Sequence, residues 1–400
     1  MPRPTEQRQN AANASPAPIN HTGTGNMKRS NPDAIVLYSA PQSMYAGRAR
    51  SYFIKAGLPF EEHTTAQDHY VQDVVPKAGG RGSWPAVELP EGTVIRDGVA
   101  IVDHFEAVRG HPARPPGPRQ HIVSLLFDVI GAEGLLRPGM HYRWNFDEVQ
   151  GDFIRFHFTT AYGGDTARAD AAIHNIKTRV NPEWGLRDET VPVVERLYEG
   201  FLDKFNAHLA QHPHLLGGIP CVGDFGLAAP LYGHLGRDPV PLRMMQTAAP
   251  WVFRWVERMN KPEPDTSEYQ PCEHAFLAND EIPDTLRDLL AHVAIDFVPE
   301  TVASRGAINE WLATHDVAPG SQCRRYAGAT AFEVLGTEIR VKAQPFRFYL
   351  LQRVHDAIAE LSSAGQEDVR SLLDSCGMGA ILGASLDRRI GRANNLEVWL

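Results

Sequence analysis

The stretch that most limits what this chain can become runs from Ile35 to Arg50, Ile-Val-Leu-Tyr-Ser-Ala-Pro-Gln-Ser-Met-Tyr-Ala-Gly-Arg-Ala-Arg. An apolar, β-forming run stops at a Pro-bearing turn, and a helix-compatible run from Tyr45 to Lys55 follows directly. That order puts Ser43 near a helix N-terminus, where free backbone N–H groups and the helix dipole favour negative charge. Two roles are open to Ser43: a cap for the helix, or a hydroxyl that stabilises a thiolate or another anion.

The next segments extend this start into one α/β unit. Leu58 to Thr64 is short enough for a second strand, and the polar segment to Val75 can carry a helix. Lys77 to Ser83 is glycine-rich but lacks the Gly-Lys-Ser/Thr ending of a P-loop. Trp84-Pro85-Ala86-Val87-Glu88-Leu89 and Thr93-Val94-Ile95-Arg96 alternate around Pro90-Glu91-Gly92, which predicts a β-hairpin. A proline opening a buried strand is accommodated at the strand end, and a cis Trp84–Pro85 bond is one solution. Asp97 can cap a helix through Glu106, so the predicted order is βαβαββα.

Taken together, Leu37-Tyr38-Ser39 with the following Ser43 and Arg48-x-Arg50, then Trp84-Pro85-Ala86-Val87-Glu88-Leu89 and Asp97-Gly98-Val99-Ala100-Ile101, resemble the thioredoxin-like half of the glutathione transferases. The resemblance implies that Ser43 offers a hydroxyl to the glutathione thiolate, with Tyr45 as the reserve hydroxyl, and that Pro85 is cis. It also implies that Asp97 and the next residue hold the γ-glutamyl group, with Trp84 and Pro85 beside the tripeptide. The family has a serine where this chain has Gly98, and a lost hydroxyl removes a hydrogen bond worth about 0.5–1.5 kcal/mol. The Gly98 backbone N–H is retained. Trp84 stands where the family has a small aliphatic residue, which narrows the pocket or packs on the sheet.

Residues 1–33 are rich in Pro, Asn, Ser, Thr and Gln and are expected to form a disordered tail ahead of a thioredoxin-like domain over 34–108. Residues 109–118 read as a stiff, proline-rich linker. Helical periodicity over 122–130 and 192–209, with a last helix at 251–259, predicts an all-helical domain over 119–260. Within it, Ile219 to Asp224 is similar to the family's capped central helix start, a structural device. A second linker spans 261–275. The extension, 276–400, predicts helices at about 282–295, 299–314, 346–362 and 366–375, with a hairpin that sets Phe332 and Val334 against Ile339 and Val341. It either forms a third α+β module or folds back as a lid. Arg340, Lys342 and Arg347 read as surface charges.

Tyr142, Arg143 and Trp144 lie where the resemblance places the electrophile pocket, and the alternative is helix packing, since aromatic clusters usually mark cores. His208, His212 and His214 read as a surface helix end, so no metal site is expected. The net charge of −9 and the lack of a basic run argue against nucleic acid and anionic membranes. No stretch reaches the length of a bilayer span, and four scattered cysteines fit a reducing, cytoplasmic setting. The expected function is therefore a glutathione-dependent transferase or thiol lyase acting on a small hydrophobic electrophile, with glutathione as cosubstrate and a homodimer implied by the resemblance. The competing reading is a catalytically weak scaffold that binds or assembles through its extension.

Overall fold

The computed structural model describes residues 29–400, so the expectation for residues 1–28 lies outside the described residues. Residues 29–33 are held to the sheet edge. The Ser30 and Asn31 backbone N–H groups donate to the Glu61 carboxylate at 3.1 and 2.8 Å, and Arg29 donates to the Leu89 carbonyl at 2.9 Å.

The first strand, β1 (Ile35–Tyr38), is buried on both faces, as its unbroken apolar run requires. Ile35 and Leu37 face α1 (Met44–Ala56), against Tyr52 and Phe53, while Val36 and Tyr38 face Tyr70 and Val74 on the other side. β2 (Phe60–His63) pairs parallel to β1. A π-helical turn (Tyr70–Val74) and the short α2 (Val75–Lys77) lead to the hairpin of β3 (Ala86–Glu88) and β4 (Val94–Arg96). β3 is antiparallel to β1, so the sheet order is β2-β1-β3-β4, and α3 (Gly98–Arg109) packs against α1. This is the thioredoxin-like arrangement, with the Trp84–Pro85 bond in cis.

A run of helices follows: α4 (Pro118–Val129), a π-helical turn (Ile130–Gly134), α5 (Leu136–Trp144), α6 (Asp147–Ala161), α7 (Thr166–Asn175), the short α8 (Asn181–Glu183), α9 (Val191–Leu209), α10 (Val222–Gly233), α11 (Pro239–Ala248) and α12 (Pro250–Met259). α10 lies between α1 and α4. At its start the Asp224 carboxylate accepts from the Cys221 and Leu215 N–H groups at 2.9 and 3.1 Å and from Trp255 Nε1 at 3.1 Å, which gives this buried acid a purely structural task. Close approach defines the next contact. A Cβ on Gly131 would fall 2.2 Å from the Gly226 backbone, so the π-helical turn can touch α10 only with glycine there.

The remaining chain forms α13 (Asp284–Thr314), the hairpin β5 (Ala329–Val334) and β6 (Thr337–Lys342), α14 (Pro345–Ala359), α15 (Ser363–Ser375), and a second hairpin of β7 (Ile390–Ala393) and β8 (Leu396–Trp399). In the first hairpin Phe332 pairs with Ile339, and Leu335 and Gly336 turn with positive φ of 49° and 81°. Three expectations are corrected here. The two helices drawn at 282–295 and 299–314 are one, α13, which continues through Pro299. Arg347 is not a surface charge: it is 2% exposed, donates to Thr301 Oγ1 at 2.9 Å and pairs with Glu300. His208 and His214 are buried rather than at a surface helix end, and His208 bonds Thr285 Oγ1 and the Leu215 carbonyl.

The extension folds back over both earlier parts. α13 packs on α9 and α14 on α4, and their apolar residues, Leu289, Phe297 and Leu351 among them, share one core cluster with Leu37 and Phe127. No helix among the described residues is long and apolar enough to cross a membrane.

Candidate functional site

The site is a cavity of about 290 Å³ bounded by the N-terminal part of α1, the cis-proline loop, the start of α3 and the extension. Its residues come from six places. Tyr45 is on the first turn of α1, and Ser83 and Trp84 precede the cis bond. Arg96 and Asp97 join β4 to α3. Glu133 stands on the π-helical turn after α4, and Trp184 follows α8. Cys323 to Arg325, Gln344 to Phe346, Ile390 and Glu397 all come from the extension.

Local chemistry fixes the thioredoxin-like wall. The Asp97 backbone N–H donates to the Pro85 carbonyl at 3.0 Å, tying the cis-proline loop to the head of α3. Asp97 holds φ at 85°, and its Oδ1 accepts from the Val99 and Ala100 N–H groups at 2.9 and 3.4 Å. An acidic N-cap of this kind stabilises the helix start through both hydrogen bonds and the dipole. Trp84 Nε1 donates to Thr65 Oγ1 at 3.0 Å, which fixes the indole at the cavity edge. Gly98 fits because a Cβ there would lie 2.9 Å from the Tyr45 carbonyl oxygen, so this backbone contact excludes a side chain without a shift of α1.

The two hydroxyls near the head of α1 differ in environment. Ser43 is buried, and its Oγ accepts from the Ala46 N–H at 3.3 Å as the helix N-cap. It is not among the residues that line the cavity. Tyr45 lines it, and burial, followed by the charge of Glu133, pushes its phenol well above the ordinary value, so it stays protonated as a donor.

Tyr142, Arg143 and Trp144 lie elsewhere. All three are buried on α5 and absent from the cavity wall. Tyr142 stacks on Phe146 at 5.7 Å, and Trp144 meets Phe158 edge-on at 5.4 Å. Arg143 makes a forked pair with Asp238 at 2.7 and 2.8 Å and donates to the carbonyls of Gln42 and Gly233, both at 2.8 Å. Through Gln42 it braces the loop that ends at Ser43. No group of three or more His, Cys, Asp or Glu side chains with metal-binding geometry occurs among the described residues.

The residues that sequence reasoning missed are Glu133, Arg81 and the extension's contribution. Burial pushes the Glu133 carboxyl up to about 7, opposed by Arg347 and reinforced by Glu300. Gln344 Nε2 reaches its carboxylate at 3.4 Å, and Arg347 donates to its backbone carbonyl at 3.3 Å. A buried carboxyl that titrates near neutrality in a cleft has the properties of a proton carrier. The signal available in sequence was a lone acid inside an apolar helical run, Val129 to Leu136. For the extension it was the tandem Arg324-Arg325, with nothing to show which surface it meets.

Residues 37–113 match the family model described as glutathione S-transferase, N-terminal domain. No curated protein matches the chain. Among solved structures it is similar to the beta-etherase LigF from Sphingobium sp. strain SYK-6, at 15% identity and a TM-score of 0.39, over 59% of this chain and 98% of that one. A glutathione S-transferase from Xanthobacter autotrophicus Py2 is 21% identical with a TM-score of 0.33, over 62% and 100%. Another, from Methylobacterium radiotolerans JCM 2831 in complex with glutathione sulfonate, is 15% identical with a TM-score of 0.34, over 62% and 99%.

Proposed function

We propose, from the premise that residues 37–113 are a glutathione S-transferase N-terminal domain, that this chain is a glutathione-dependent transferase or thiol lyase acting on a small electrophile. The observation that carries the reading is the cavity that joins Tyr45, Trp84 and Asp97 in one wall, beside the head of α1. A free thiol titrates near 8.5, so only a few per cent is thiolate at neutral pH. A protonated hydroxyl and a helix N-terminus aimed at the sulfur raise that fraction, tenfold for each 1.4 kcal/mol. Tyr45 is the hydroxyl in the cavity wall and takes this role. Ser43, two residues earlier, holds the helix that presents it and is the second candidate.

In the reaction the thiol proton leaves to solvent or to the Glu133 carboxylate. The sulfur lone pair then forms a C–S bond to the electrophilic carbon, and the leaving group departs with its electron pair. Asp97 and the Gly98 N–H hold the tripeptide, with Trp84 and Pro85 bounding it.

The test is calorimetric titration with glutathione, with thiolate absorbance followed in wild type, Tyr45→Phe and Ser43→Ala. We expect millimolar or tighter binding and a thiolate fraction that falls in Tyr45→Phe. Absence of binding would overturn the reading and favour a catalytically weak scaffold. That alternative is supported by the capping bond that occupies Ser43 and by Gly98 in place of a hydroxyl-bearing residue. A homodimer and a cytoplasmic setting remain part of the proposal, the first open to sedimentation analysis.

A further inference from the structure

The cavity that serves the proposed reaction carries more positive charge than it neutralises. Four arginines line it or flank its mouth: Arg81, Arg96, Arg324 and Arg325. Arg96 is spent on the fold, since it pairs with the Glu397 carboxylate at 2.9 Å and donates to the Asn395 carbonyl at 2.8 Å. Arg81, Arg324 and Arg325 form no hydrogen bond or ion pair with any other described residue. Burial and the nearby Arg96 push the Arg81 guanidinium downward, the sign of a cation short of counter-charge. The three acids in the wall do not make up the difference. Glu397 is shared between Arg96 and Arg392, Asp97 caps α3, and burial raises Glu133 toward neutrality.

Arg324 and Arg325 are also held in place. The Cys323 N–H donates to the Glu397 carbonyl at 2.8 Å and the Trp399 N–H to the Ser321 carbonyl at 2.9 Å, so the three residues just before them, 321–323, are tied to β8 by a bridge between Gln322 and Val398. The Arg325 guanidinium carbon lies 5.3 Å from the Trp184 ring centroid, and that of Arg324 lies 5.6 Å from Trp311. Stacking on an indole fixes the plane of a guanidinium and leaves its N–H edge free for a forked contact with a planar oxyanion. Beside them, Trp184, Pro345, Phe346 and Ile390 give an apolar wall suited to a compact aromatic body.

We infer that the electrophile taken by this cavity carries a carboxylate or a comparable oxyanion, read by Arg324 and Arg325 of the C-terminal extension while its apolar body rests on Trp184 and Phe346. The identification of this ligand as the electrophile rests on the glutathione-transferase reading above; the oxyanion subsite itself does not. The other source of the same chemistry is a carboxylate of glutathione, and the test separates the two.

Binding of chloronitrobenzoate, of its methyl ester and of glutathione, each alone, is measured by calorimetry on the full chain. The proteins are wild type, Arg324→Gln/Arg325→Gln and Arg324→Lys/Arg325→Lys. Because both arginines are partly exposed, we expect a loss of about tenfold in benzoate affinity in the Gln pair, the size of a charged contact near solvent. The ester and glutathione affinities stay unchanged, and the Lys pair is intermediate. Equal affinity of the wild type for acid and ester overturns the inference. So does a loss that falls on glutathione, which assigns the arginines to the tripeptide. If glutathione does not bind but the acid preference and its loss persist, the transferase reading falls and the oxyanion subsite stands. Should the Gln pair fail to fold, the salt dependence of benzoate binding to wild type decides: affinity that falls with salt only for the acid supports the subsite, and a flat profile overturns it.

Discussion

At the scale of single residues, Glu133 makes the most testable claim. Burial lifts its carboxyl from the usual 4.5 to about 7, so the folded chain holds that proton more tightly than the unfolded chain does. Its contribution to stability is therefore full below the unfolded value and is lost as pH rises through the folded one. A shift of this size corresponds to about 3 kcal/mol. Glu133→Gln should abolish the slope, so that its stability relative to wild type rises by about 3 kcal/mol between pH 4.5 and pH 8. Denaturant titrations at the two pH values check this, and parallel curves would show that Arg347 keeps the carboxylate charged throughout. Gly98 gives a second prediction. Adding the hydroxyl that the resemblance calls for, by Gly98→Ser, forces a Cβ to 2.9 Å from the Tyr45 carbonyl. We expect a loss of about 1–3 kcal/mol from overpacking and no gain in glutathione affinity; tighter binding at unchanged stability would contradict it.

At the scale of elements, what was legible in sequence followed local rules. The β1 run, the capped start of α1 and the hairpin at Phe332 to Val341 are set by periodicity and turn chemistry, and each is present. α13 runs on where a break is expected: Pro299 removes one helical hydrogen bond, a loss of about 3 kcal/mol in isolation, which burial of Leu289, Leu290 and Phe297 offsets here. The site walls were half legible for the same reason. Tyr45, Trp84 and Asp97 sit in a short-range motif, whereas Glu133 and Arg324 meet them through contacts spanning much of the chain. The buried charge cluster between α5, α13 and α14 is another such contact. Arg137 pairs with Asp296 at 2.6 Å and with Glu300 at 2.9 Å, and Arg347 pairs with Glu300 at 2.9 Å. Glu300→Gln leaves these cations short of charge and should destabilise by about 3 kcal/mol. Replacing the facing pair with Glu300→Leu and Arg347→Met should recover most of that, since apolar groups need no counter-charge. Equilibrium denaturation of both variants tests the pair; a double variant no better than the single would point to packing rather than charge.

At the scale of the whole molecule, the question is whether the extension is an appendage or part of the fold. Its helices supply Leu286, Leu289, Phe297, Leu350 and Leu351 to the same core cluster as Leu37, Phe53 and Phe127. Three sets of ion pairs tie it to the rest of the chain: the buried Glu300 cluster, Arg353 with Asp128 and Asp103 at 2.7 and 2.6 Å, and Arg96 with Glu397. It also supplies about half the cavity wall, including Gln344 beside Glu133. Removing 276–400 would thus uncover the apolar faces of α4 and α9, leave Asp128 short of one of its two cations, and open the site to water. We expect the chain ending at residue 275 to lose cooperative unfolding and bind a hydrophobic dye, because exposed core faces of this kind favour loosely packed or aggregated states. The comparison is a thermal melt with near-UV circular dichroism on the full chain and on the truncated one. A truncated chain that melts cooperatively and keeps its aromatic signal would make the extension a separable lid, and would shift the origin of the cavity's specificity from the shared core to a module that can be exchanged.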